Sequence, residues 1–267
     1  MQRLLAVATA LAACVSVVSR TPTATAACGS WERVTGARVT GVLSDVSAES
    51  ATDVWAVGSS RSHTLAEHWN GSTWRRVTTP NPAPRSDALD AVVAVTPTDA
   101  WAAGRDGVGG NGRLLLHWDG SVWRRTPLPR GASHATIRDL AALSPSDVWA
   151  VGASSHGATR TLHYDGSSWK LIPSPTPAAT TSSVLAAVAA STSADAWAVG
   201  DDTSVRPLVD HWDGSMWTES AIPSEYPSGL TSVTHVPGTG DYWAVGDTDH
   251  RNFPFGSFHK PRIEFRC

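Results

Sequence analysis

The chain has 267 residues, 41% hydrophobic with 22 Gly and 17 Pro, a composition that supports a sizeable core and excludes a disordered or collagen-like protein. Its net charge of −3 comes from 21 basic and 24 acidic residues with no run of five like charges, so nucleic acid and anionic membranes find no electrostatic grip. Thirteen Trp against four Phe and three Tyr is the anomaly that the rest of the sequence must explain.

Residues 1–26 read as an export signal. Arg3 precedes the apolar stretch Leu4–Val18, and Ala24-Thr25-Ala26 supplies small residues for a signal peptidase. The stretch is too short for a transmembrane helix, and no other segment runs to eighteen apolar residues. Residues 27–267 are therefore expected to form a single secreted domain without a transmembrane segment. In an alternative reading, Leu11-Ala12-Ala13-Cys14 resembles a lipoprotein box and the chain is lipid-anchored through Cys14. After cleavage at residue 26 only Cys28 and Cys267 remain, one at each end, and in an oxidising compartment they are expected to pair as a disulfide.

From residue 53 onward the chain repeats. DVWAVG or a close variant occurs at Asp53–Gly58, Asp99–Gly104, Asp147–Gly152, Asp195–Gly200 and Asp241–Gly246, with Trp spacings of 46, 48, 48 and 46. A second motif follows the first four: His68–Trp74, His117–Trp123, His163–Trp169 and His211–Trp217, each with Asp-Gly or Asn-Gly at its centre. These two motifs, with the isolated Cys28-Gly29-Ser30-Trp31, account for every Trp. Each repeat reads as four short strands, a to d: an alternating apolar run such as Leu89-Asp90-Ala91-Val92, the WAVG strand, a strand ending in His-Trp, and a last strand led by Ser-x-Trp. Adjacent Asp-Gly and Asn-Gly mark the hairpin between c and d.

Four antiparallel strands every 46 to 48 residues describe a propeller blade, in which Trp fills the wedge between neighbours. The expected fold is all-β, a five-bladed β-propeller. Its last repeat stops before a Ser-x-Trp strand, and Gly29–Val34 supplies one, so the N- and C-terminal strands are expected to share one composite blade. In that register Cys28 and Cys267 both fall at the turn between strands c and d of that blade.

The a–b and c–d connections are nearly constant in length, whereas the b–c and d–a connections vary, and these two sets occupy opposite faces of the disc. Binding usually resides in variable loops on a rigid scaffold. Candidate ligand-binding residues on the b–c and d–a face are Arg105, Asp106, His156, Asp202, Arg206, Asp249 and His250. His68, His117, His163 and His211 occupy equivalent places in four different blades, which fits packing or hydrogen bonding and lacks zinc spacing. The Asp before each WAVG is expected to secure the a–b turn. The last b–c loop, Asp247–Pro261, gathers three of the four Phe and reads either as a ligand platform or as divergent packing.

WAVG followed by an [Asp/Asn]-Gly-Ser-x-Trp hairpin resembles the repeats of secreted actinobacterial β-propeller proteins of galactose-oxidase-like or kelch-like fold. More distantly it is similar to photosystem II assembly-factor and sialidase-type propellers, although Asp119-Gly120, Asp165-Gly166 and Asp213-Gly214 are adjacent where an Asp-box separates the two residues. The five-fold period is similar to that of the tachylectins, which bind amino sugars. The resemblance implies a binding or interaction module, with carbohydrate or a cell-surface ligand as partner, a monomeric state and no cofactor, metal or catalytic residue. The alternative is a glycoside-acting hydrolase or lyase with carboxylates from unlike loops: Asp106, Asp201, Asp202 and Asp249.

Overall fold

The computed structural model describes residues 34–266 except 38, 83–85, 108–113, 133, 178–181, 203, 205, 223–227 and 253–255; for 249–252 and 256–262 it describes the backbone alone. Every regular element described is a strand, and the strands form five antiparallel sheets in chain order. The first sheet is β1 (Val42–Ser50), β2 (Asp53–Ser60), β3 (His63–Trp69) and β4 (Trp74–Val77); the second is β5 (Ala88–Thr96), β6 (Asp99–Arg105), β7 (Leu114–Trp118) and β8 (Trp123–Arg125). The third comprises β9 (Ala135–Ser144), β10 (Asp147–Ser154), β11 (Thr159–Tyr164) and β12 (Trp169–Ile172), and the fourth β13 (Ser183–Thr192), β14 (Asp195–Asp202), β15 (Pro207–Trp212) and β16 (Trp217–Glu219). The fifth has three described strands, β17 (Ser228–His235), β18 (Tyr242–Asn252) and β19 (Gly256–Arg266).

Local chemistry sets the hairpins. Oδ1 of Asn70, Asp119, Asp165 and Asp213 accepts the N–H groups two and three residues on, at 2.8–3.1 Å. The glycine that follows each takes φ between +87° and +92°, which a Cβ would strain. Hydrogen bonds from Ser121 and its neighbours hold the exposed Asp119 carboxyl well below the usual range; Lys170 and Ser167 do the same for Asp165, as do Ser215 and Met216 for Asp213.

The first strands of successive sheets touch, and each of the first four WAVG strands packs against the first strand of the following sheet. Trp55, Trp101 and Trp149 are at most 1% exposed. Each receives two rings from the following sheet. Trp123, Trp169 and Trp217 meet them edge to face at 4.9, 5.1 and 5.2 Å between ring centroids, and Trp118, Tyr164 and Trp212 lie 5.0, 4.8 and 5.0 Å away. Such pairs add about 0.5–1.5 kcal/mol beyond the area they bury.

The aspartates before WAVG do more than secure the a–b turn, across which Asp195 Oδ2 accepts the Ser191 hydroxyl at 2.6 Å. That turn is held by the hydroxyls of Ser50, Thr96, Ser144 and Thr192, each accepting the N–H two residues on at 3.2–3.3 Å. Oδ1 of Asp53, Asp99, Asp147 and Asp195 also meets Nε2 of His68, His117, His163 and His211, at 2.7, 3.4, 2.8 and 2.8 Å. Each imidazole in turn stacks on its own blade's WAVG tryptophan, at 4.2–4.4 Å.

The last repeat departs from expectation in two ways. Its b–c connection folds as a long hairpin, with Asp249 opposite His259 and His250 opposite Phe258, where a loop over Asp247–Pro261 is expected. Among the described residues no fourth strand joins β19 and no sheet closes the series; Gly29–Arg33, Cys28 and Cys267 lie outside them. The faces at the two ends of the series are open, with Val46 62%, Trp243 43% and Ile263 66% exposed.

Candidate functional site

Every first strand carries a β-bulge opposite its WAVG glycine. Register shifts fall at Leu43/Asp45, Leu89/Ala91, Leu185/Ala187 and Leu230/Ser232, and in the third sheet beside Gly152. The bulge brings the first strand so near that a Cβ on Gly58, Gly104, Gly152, Gly200 or Gly246 would collide with a carbonyl oxygen of that strand. One residue per blade is thereby released from pairing: Ser44, Asp90, Arg138, Ala186 and Thr231. These lie near the start of each first strand, the end that adjoins the b–c and d–a loops. They are five different side chains on one repeated frame.

Three charges gather there. Arg105 Nη1 lies 3.6 Å from Asp90 Oδ1. Burial pushes the Asp90 carboxyl up, and the guanidinium groups of Arg105 and Arg138 pull it back without cancelling the rise. Arg105 and Arg138 are exposed, so the group faces water.

Beside this group the open edges of the first strands are capped by two aspartates. Asp45 accepts the N–H of Val46 through Oδ1 at 2.8 Å and that of Val92, one blade on, through Oδ2 at 2.7 Å. Asp139 repeats this with Leu140 and Val188, both at 2.8 Å. One carboxylate thus serves two blades, which explains why Ala91 and Ala187 stand at the same register in the blades between. Burial pushes Asp139 up to about 6 against those bonds, with a small contribution from the charge of Asp45.

Of the residues chosen from sequence, Arg105 belongs to this cluster. Asp106 is tied to Arg125 on β8 at 2.7 Å. His156 is exposed at a turn tip, with Nδ1 3.3 Å from Ser155 Oγ. Asp202 is buried and accepts the N–H groups of Ser204 and Arg206 at 2.8 and 3.0 Å and Arg206 Nε at 3.2 Å, so it holds its own loop together. Arg206 also reaches Glu219 at 3.4 Å. Asp249 and His250 are consecutive on β18, and their side chains lie outside the described residues. Asp201 opens on a cleft of about 140 Å³ with Ser182 and Val184; burial, then Asp202 and Asp247, raise its carboxyl. Among the described residues no three His, Cys, Asp or Glu are placed to hold a metal.

The loops on this face are bonded from blade to blade: Asp87 donates its N–H to Ser62 O at 3.0 Å and accepts that of Gly107 at 3.0 Å, and Ser183 N–H reaches Gly157 O at 2.6 Å. Sequence reasoning missed Asp90 and Arg138, and the capping pair Asp45 and Asp139. The available signal was the residue after the apolar Leu43, Leu89, Ile137, Leu185 and Leu230, which never repeats.

A larger cavity, about 210 Å³, lies between the fourth and fifth sheets, lined by Trp197, Val209, Ile222, Leu230, Phe265 and Arg266 among others.

No family model matches the chain. No curated protein sequence matches it either. Solved structures do. The chain is similar to YCF48 bound to a D1 peptide, with 16% identity and a TM-score of 0.53, over 86% of this chain and 69% of that one. It is similar to the SapL1 lectin in complex with α-methyl fucoside, with 11% identity and a TM-score of 0.52, over 82% and 78%. A GH74 xyloglucanase from Xanthomonas campestris matches with 12% identity and a TM-score of 0.53, over 83% of this chain but 37% of the enzyme. The shared feature is the β-propeller fold.

Proposed function

We propose that this protein is a secreted, monomeric, non-catalytic binding module that engages a carbohydrate on the face where its first strands begin. The observation that carries this reading is the Asp90, Arg105 and Arg138 group. It sets one carboxylate and two exposed guanidinium groups on bulged and loop-adjoining positions, where an otherwise strict repeat diverges. A mixed fork of donors and acceptors matches the hydroxyls of a sugar better than a single charge would. A fucoside-bound lectin among the structural neighbours supports the same class of ligand. The sequence of residues 1–26, read as an export signal, is in keeping with action outside the cytoplasm.

The experiment is a glycan array followed by calorimetry on the hits. Binding without turnover, lost in Arg138→Ala, supports the reading. A silent array, with capture of a peptide ligand instead, would replace the sugar with a protein partner. One observation favours a glycoside hydrolase as a second reading: the raised Asp201 carboxyl at its cleft, beside Asp247. Turnover of a chromogenic glycoside abolished by Asp201→Asn would establish it, whereas Asp202→Ala acts on the loop that Asp202 holds.

A further inference from the structure

The c–d hairpins of the first four sheets share one side-chain frame, and the first carries an amide where the others carry a carboxylate. Asp119, Asp165 and Asp213 each commit Oδ1 to the turn and keep Oδ2 for the residue five positions on. In the second sheet that residue is Arg124, whose Nε donates to Asp119 Oδ2 at 2.8 Å; in the third it is Lys170, with Nζ 2.6 Å from Asp165 Oδ2. In the fourth Thr218 stands there instead. Both cations pair in register with their blade's histidine, His117 and His163, and in the first sheet Arg75 holds that place opposite His68. Arg75 is exposed and forms no ion pair among the described residues. The amide is the reason. Three donors claim Asn70 Oδ1: the N–H groups of Ser72 and Thr73 at 3.1 and 3.0 Å and the Ser72 hydroxyl at 2.9 Å. Nδ2 therefore takes the place of the second carboxylate oxygen, and a donor there cannot answer a guanidinium.

We infer that Asn70 is a self-modifying site, converted to aspartate through a succinimide formed with the Gly71 nitrogen. The turn assembles the reacting groups. The bond from Ser72 N–H to Asn70 Oδ1 closes a ring that contains both Cγ of Asn70 and the nitrogen of Gly71, and the Gly71 N–H donates no hydrogen bond among the described residues. Gly71 takes φ +87° and has no side chain to shield that nitrogen. A solvent base removes the Gly71 proton, the nitrogen bonds to Cγ, and negative charge develops on Oδ1. The three donors already aimed at Oδ1 stabilise that charge as an oxyanion hole does. Collapse breaks the Cγ–Nδ2 bond and releases ammonia, with water supplying its proton. The same donors polarise Cγ in the imide, so a second water adds at Cγ, the Cγ–N bond breaks and the Gly71 N–H returns. In sum, asparagine and water give aspartate and ammonia, with the ordinary peptide link restored. The new carboxylate keeps the turn through Oδ1 and presents Oδ2 to Arg75, as in the second and third blades. Opening at the main-chain carbonyl would give isoaspartate instead, which lengthens the backbone within the turn and displaces this frame.

Incubation of the full chain at pH 8, followed by peptide mapping with electron-transfer fragmentation, reads both mass and linkage. The mass gain of an amide-to-acid exchange should appear at residue 70, mostly with the ordinary α linkage. Ser72→Ala removes one of the three donors and should slow the exchange several-fold. Asn111-Gly112, the same dipeptide outside the described residues, serves as reference in the same sample. Conversion at Asn111 with residue 70 unchanged would show that the turn protects its amide and would overturn the inference. So would isoaspartate as the sole product at residue 70, or a glycan carried on Nδ2. Stability gives an independent readout: Asn70→Asp should raise the Tm by about 2 °C, and Arg75→Gln should cancel the gain. No gain, or a gain that survives Arg75→Gln, would overturn the pairing.

Discussion

Phe265 lies against Trp243 with ring centroids 4.5 Å apart and planes tilted by 40° in the fifth sheet, in the register where the other four sheets place a histidine held by an aspartate. The comparison separates two jobs of the Asp, His and Trp layer. Stacking on the indole needs only a flat ring, which Phe provides. The aspartate satisfies the polar edge that an imidazole brings with it. Where that edge is missing the aspartate loses its purpose: Asp241 still precedes WAVG, but the ring beyond it has no polar atom.

Asp147→Ala should therefore cost about 1–3 kcal/mol, because it leaves the half-buried His163 Nε2 without its 2.8 Å partner. Asp241→Ala should change stability by less than about 0.5 kcal/mol. Urea unfolding of both variants checks the contrast, and equal losses would mean that the residue serves the turn after all.

Asp210 on β15 occupies the register of Leu116 and Leu162, and one of its carboxylate oxygens is buried without a partner. Burial, with the charge of Glu219 across the strand pair, pushes its carboxyl up to about 7. The sign follows from linkage. Below about pH 4 both folded and unfolded chains hold the proton and there is no penalty. Between about pH 4 and 7 only the unfolded chain releases it, so stability falls as pH rises, and above 7 the penalty is constant. Asp210→Leu should raise stability at pH 8 by roughly 2–4 kcal/mol and at pH 4.5 by only about 1 kcal/mol. Asp139, raised to about 6, adds a slope of the same sign that this variant keeps. Denaturation midpoints at the two pH values test the prediction, and a wild-type midpoint at pH 8 would show that the carboxyl is hydrated.

Asp139→Ala removes the acceptor of two edge N–H groups at once, those of Leu140 and Val188. The expected cost is about 2–4 kcal/mol, shared between two blades. Hydrogen exchange should show both amides losing protection together. Loss at Leu140 alone would mean that the link to the next blade is incidental.

The blades were legible in the sequence because WAVG and the Asp-Gly hairpin repeat at a constant interval, and each motif carries its own local cause. The candidate binding group was not. A bulge adds one residue to a strand without changing the spacing of the motifs on either side, so Asp90 and Arg138 look like ordinary members of an alternating run. The capping by Asp45 and Asp139 recurs only in every second blade, and comparing single repeats averages it away. The pairing of Asp53 with His68 requires the register between two strands that a loop of variable length separates. Asp202 was misleading for the opposite reason: its divergence from the other repeats marks a loop that it braces, with Arg206 as its partner.

The WAVG glycine ties the repeated frame to the divergent positions, and two substitutions distinguish the reasons a glycine is needed. Gly152 has no left-handed φ, but a Cβ there would strike the carbonyl oxygen of Thr136 and the backbone of Ile137 in a buried sheet that has no room to shift. Gly152→Ala should cost about 3 kcal/mol or more, the range of an overpacked core, and should disturb the bulge that presents Arg138. Gly238 is the converse case, with φ +80° and nothing within 4 Å of its Cβ position. Gly238→Ala should cost about 1–2 kcal/mol from backbone conformation alone, and it should leave any ligand affinity at the Arg138 face unchanged. Calorimetric binding and urea unfolding, measured on both variants, would separate the two effects; a Gly152→Ala protein with wild-type stability would mean that the bulge is not fixed by close approach.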